Sequence, residues 1–138
     1  MRQELILLPM AALVALTFAV SLLLVRARFR AAKLGQVTRA DFRLGESERV
    51  PPHVAVINRN YMNLLQAPVL FYVACLAFFA AGEVDRTALV LAWAYVGARA
   101  AHTLVHLTRN DVMHRLAAFA LSMLLLAAMW VWLVAKVL

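Results

Sequence analysis

A single cysteine, Cys75, excludes an internal disulfide, and its place within an apolar run makes it a small packing residue. Glycine occurs only four times, and no glycine-rich loop that could cradle a phosphate is present. Internal repeats and low-complexity tracts are absent as well. Acidic residues are scarce, seven against 14 Lys and Arg. None lies where a small transporter would need an acid to couple an ion, so that class finds no support.

What the chain has in quantity is apolar surface. Of its 138 residues, 65% are apolar and only 15% charged, with a mean hydropathy of +0.81. A soluble domain of this size could not bury so much, whereas lipid accepts it on the outside of a bundle. Four apolar runs, at 5–25, 61–81, 87–107 and 116–137, each supply the roughly 20 helical residues that cross a hydrocarbon layer of about 30 Å. The predicted fold is an all-α integral membrane protein, one domain over 1–138 with a four-transmembrane-helix bundle. Its helices are expected at about 5–25, 54–81, 87–107 and 113–137, with one long loop at about 27–52. The first run is longer than the core of a secretory signal and lacks a small-residue cleavage site, so it reads as an anchor. Pro51 and Pro52 delimit the start of the second helix, while 26–34 can continue the first beyond the lipid.

The basic residues orient the bundle. The long loop carries Arg26, Arg28, Arg30, Lys33, Arg39, Arg43 and Arg49, with Arg59 just beyond it, whereas the connection after the second helix offers only Arg86 against Glu83 and Asp85. Positive-inside bias puts the loop in the cytoplasm and, with an even number of spans, both termini outside, which for a bacterial protein is the periplasmic side of the inner membrane. Arg109 and Arg115 then also fall on the cytoplasmic side. The net charge of +7 flanks the spans, so topology and contact with anionic membrane lipids explain it without nucleic acid.

Two polar stripes interrupt the apolar runs. Arg59, Asn63 and Gln66 recur at helical spacing on the second helix, and Arg99, His102, His106 and Asn110 on the third. Arg99 lies about 12 Å from the end of its run, too deep to snorkel easily, which points to an internal cavity open to the cytoplasm. The bland alternatives are Arg59 as a boundary anchor, Asn63 and Gln66 as helix-locking amides, and Arg99 with the histidines as packing partners. His102 and His106 could both face a metal or haem, but no Asp, Glu or Cys completes a ligand set, so no metal site is expected.

The segments Arg59-Asn60-Tyr61-Met62-Asn63-Leu64-Leu65-Gln66-Ala67-Pro68 and Tyr95-Val96-Gly97-Ala98-Arg99-Ala100-Ala101-His102, followed by His106, Asn110, His114 and Arg115, carry a resemblance. On the second and third helices of so short a four-span chain, they resemble bacterial members of the MAPEG family, the membrane-associated proteins in eicosanoid and glutathione metabolism. The resemblance implies a homotrimer with glutathione as co-substrate in a cytoplasm-facing cleft between adjacent subunits. It assigns glutathione binding to Arg59 and Asn63, with Gln66 where the family usually carries a glutamate. Arg99 and His102 would line or support the cleft, and His106 falls where the eicosanoid enzymes carry a tyrosine. Arg115 matches the arginine that stabilises the thiolate, with Arg109 as its competitor, while Arg30 joins Arg59 in meeting carboxylates.

The implied activity is a membrane glutathione transferase or peroxidase, whose thiolate attacks an apolar electrophile or a lipid hydroperoxide arriving from the bilayer. The second reading is a non-catalytic lipid-binding or structural protein that keeps the MAPEG bundle.

Overall fold

The computed structural model describes residues 1–138 and consists of helices alone, four of its helical stretches being long and apolar enough to cross a membrane. Helix α1, Leu7–Lys33, follows a 3-10 turn at Gln3–Ile6 and carries Pro9 in its first turn, where the missing amide hydrogen has no helical acceptor to lose. α1 runs on past its apolar stretch, and Arg30 and Lys33 in its last turn complement the helix dipole. Gly35, at φ +68°, then closes it by donating to the Ala32 carbonyl at 3.0 Å.

The loop that follows folds back on the helices rather than trailing into solvent. Asp41 accepts from the Thr38 amide at 2.7 Å, the Thr38 hydroxyl at 2.8 Å and the Ser47 hydroxyl at 2.7 Å. Those bonds, Ser47's first, hold its carboxyl down at about 2. Arg28 ties the loop to the bundle, donating to Glu46 at 3.0 Å and Asn58 at 3.2 Å while lying over the Phe42 ring. Val37 and Val50 pack beneath it against Leu24, Ala31 and Val54.

The second span, Pro52–Ala81, is made of two helices, α2 (Pro52–Gln66) and α3 (Pro68–Ala81). Pro52 opens α2 at the position where a missing N–H is harmless. Pro68 interrupts the hydrogen-bond ladder mid-span, although Ala67 keeps helical dihedrals and the chain direction continues. Gly82, at φ +71°, ends α3 in the left-handed conformation. Helix α4, Arg86–Leu107, starts from Asp85, which accepts from the Ala88 amide at 2.8 Å and pairs with Lys136 near the end of α5 (Val112–Val137). The chain start is pinned beside this turn, because the Val84 amide donates to the Gln3 side chain at 2.8 Å.

Small residues let the helices approach closely: Ala74, Ala88 and Ala92 are fully buried, alongside Phe71 stacked on Tyr95 at 4.5 Å between ring centres. Phe18, Leu22, Leu70, Leu104, Leu124 and Val131 stand exposed along the spans. Apolar side chains facing outward from a well-packed interior are what a lipid solvent selects.

Candidate functional site

The basic loop and the α4–α5 turn lie at one end of the bundle, and the polar side chains gather toward that end. On α4, Tyr95, Arg99, His102 and His106 recur every three or four residues, so they share one stripe, and the fold turns that stripe inward. Arg99 is fully buried and both histidines nearly so. No acid meets Arg99. Its Nη2 donates instead to Asn63, to the backbone carbonyl at 3.0 Å and to the side-chain oxygen, and its guanidinium lies 5.9 Å from the Phe119 ring centre.

The surrounding interior is rich in polar atoms with no partner among the protein's own groups. They include Nε and Nη1 of Arg99, Nδ2 of Asn60, the Tyr95 hydroxyl, Nδ1 of His102 and both ring nitrogens of His106. Buried polar atoms are ordinarily paired, and leaving one unpaired costs about 1 to 3 kcal/mol, so these atoms call for partners, water included, beyond the chain's own groups. The two imidazoles lie 5.6 Å apart and nearly perpendicular, and no group of three His, Cys, Asp or Glu side chains converges as a metal would need.

Beside this buried column opens a cleft of about 250 Å³ lined by Asn63, His102, Val112, Arg115, Leu116 and Phe119. Arg115 is placed there by a tight pair of helix ends. Asn110, at φ 49°, is the one non-glycine residue with positive φ; its amide closes α4 on the Val105 carbonyl at 2.8 Å. Asp111 then caps α5, accepting from the His114 amide at 2.9 Å and meeting the His114 ring at 2.7 Å; these bonds hold its carboxyl below the usual range. One turn on, Arg115 Nη1 donates to the Asn110 side-chain oxygen at 2.6 Å, leaving its Nε unpartnered.

The remaining candidates are distributed around this centre. Arg99 stands behind the cleft rather than in its wall, and His106 is buried farther along the same stripe. Arg59, Gln66, Arg30 and Arg109 are exposed. Arg59 lines a larger neighbouring cleft, and Arg30 shares another with Arg26 and His53. The second-helix stripe therefore straddles an edge. Steps of three residues rotate by about 60°, which carries Asn60 fully inside, Asn63 to the boundary and Gln66 outside. Within one chain, the amide that meets Arg99 is thus Asn63, and Gln66 makes no side-chain hydrogen bond to the others.

Asn60, Thr103, Tyr95 and Phe119 join the site without having been singled out. Asn60 accepts from the Thr103 hydroxyl at 3.4 Å in the buried interior. Its signal was available, an amide three residues before Asn63 on a helix whose inner face runs through Leu64.

These features define an integral membrane four-helix bundle with a polar, arginine-bearing cleft at its basic end. The MAPEG family model matches residues 6–135, nearly the full chain, and the chain belongs to the MAPEG family. Neither the curated proteins nor the solved structures gave a significant match.

Proposed function

We propose that this MAPEG protein is a glutathione transferase or peroxidase of the membrane. Glutathione binds at the cytoplasm-facing basic end, and Arg115 stabilises its thiolate for attack on an apolar electrophile or a lipid hydroperoxide. The observation that carries this reading is the convergence of Arg115, His102 and Asn63 on one cleft, with the cation of Arg99 buried behind it. A thiolate needs positive charge and donors beside it, and the cleft offers both without a competing carboxylate in its wall. Arg59 and Arg30 are the candidates for the tripeptide's carboxylates, as arginine forks suit carboxylate geometry.

Trimer formation is part of the proposal. Gln66 stands exposed halfway along the Pro52–Ala81 span, where lipid would leave its amide without partners, so a neighbouring subunit covering it is the better arrangement. Native mass spectrometry after detergent removal is expected to give a three-subunit mass that takes up glutathione. A monomer binding glutathione saturably would refute the shared cleft. No uptake in any state would favour the non-catalytic, lipid-binding reading of the bundle.

Orientation is inferred from the basic loop. Leu44 sits fully exposed at the loop's tip, so Leu44→Cys provides a reporter clear of the Asp41 bonds. A membrane-impermeant maleimide applied outside intact cells should leave it unmodified until the membrane is breached, whereas immediate labelling would reverse the assignment.

A further inference from the structure

An α-amino acid carries an ammonium and a carboxylate on one carbon, so recognising it calls for an unengaged acid and an unengaged base facing the same cleft. The seven acids of this chain can be sorted by what already holds them. Glu4, Glu83 and Asp85 belong to the opposite end of the bundle, where Gln3 accepts from Val84. At the basic end, Asp41 is held by Thr38 and Ser47, Glu46 is paired with Arg28 at 3.0 Å, and Asp111 caps α5 and binds His114. Glu48 alone there has neither an ion pair nor a side-chain hydrogen bond. A second copy of the chain brings the same seven acids, and within its spans only Glu4, at the start of the first.

Glu48 lines a cleft of about 700 Å³ together with Arg59, which is also without an ion pair, and with the amides of Asn58 and Asn110. That cleft adjoins the smaller one. Asn110 belongs to the wall of the first, and its side chain accepts from Arg115 in the wall of the second. Asn110 is also the residue held at positive φ, so the junction between the clefts is the one place where the backbone of a non-glycine residue is strained.

We infer that Glu48 and Arg59 form an α-amino-acid subsite: Glu48 receives the ammonium and Arg59 the α-carboxylate of the γ-glutamyl end of glutathione, whose sulfur reaches Arg115 through the Asn110 junction. The inference rests on the glutathione reading above and assigns the residue that reads the ligand's one positive charge.

Isothermal titration of the full chain in nanodiscs tests it with two ligands, glutathione and its deamino analogue, in which glutaryl replaces the γ-glutamyl residue. The parent protein should prefer glutathione by about two- to fivefold, the size of one partly exposed ion pair. Glu48→Gln should lose that preference through weaker glutathione binding alone, and its unchanged affinity for the deamino analogue reports that the bundle is intact. Equal binding of both ligands by the parent, or a preference that persists in Glu48→Gln, would overturn the subsite while leaving glutathione binding in place. Binding of neither ligand by the parent would overturn the glutathione reading, and the subsite with it.

Discussion

Arg115→Ala is expected to fold, to bind glutathione still, and to turn over an apolar electrophile about a hundredfold more slowly, the loss typical of removing one donor from a developing anion. The side chain is only partly buried and makes one hydrogen bond, to Asn110, so its removal takes little from the core. What it removes is the positive charge in the wall of the cleft. The bound thiol's pKa should accordingly rise toward the free value near 8.5, and the rate should recover in part as pH is raised and thiolate forms unaided. Arg109→Ala is the matched control, because Arg109 shares the same short connection but is exposed and lies outside the cleft's lining. Stopped-flow turnover of both variants across pH decides between them: loss confined to Arg109→Ala would move the role to Arg109.

Asn63→Leu should be the most damaging single change to stability. Arg99 is fully buried with no acid opposite it, and Asn63 supplies its only hydrogen bonds. Removing the amide side chain leaves a buried cation with one backbone carbonyl, a loss on the order of 3 kcal/mol. Replacing both partners with apolar groups removes the charge along with the need to pair it, so Asn63→Leu combined with Arg99→Met should regain most of the lost stability. Unfolding in mixed micelles followed by tryptophan fluorescence gives the comparison. A double variant no more stable than Asn63→Leu would mean that the amide acts elsewhere than on Arg99.

The fold was legible because lipid imposes a simple demand: four runs of apolar residues long enough to cross it, separated by the charges that cannot. The limits of the helices were less so. α1 continues to Lys33, within the 26–34 extension that the sequence allowed, because Arg26, Arg28, Arg30 and Lys33 are good helix formers with charges that can sit in water, and only Gly35 stops it. The break before Pro68 is written in the sequence as a proline, but hydropathy runs straight across it.

The site was half legible. Periodicity placed Arg99, His102 and His106 on one face of α4, and the depth of Arg99 identified that face as internal. On α2 the same spacing gave a stripe along the edge of the buried face, and periodicity alone cannot tell an edge from a centre. That stripe did not take in Asn60, which is buried within one chain, whereas Gln66, which it did take in, is exposed there. Glu48 could not be singled out among the loop acids, because what distinguishes it is that Asp41, Glu46 and Asp111 are engaged elsewhere, a property of the folded chain alone.

The central claim is that this bundle holds glutathione as a thiolate, and the ultraviolet difference spectrum of the parent protein at saturating glutathione tests it most directly. A thiolate band that is present at neutral pH, titrates well below 8.5 and disappears in Arg115→Ala is the predicted result. Glutathione that binds with no thiolate band below the free thiol's pKa would contradict the account.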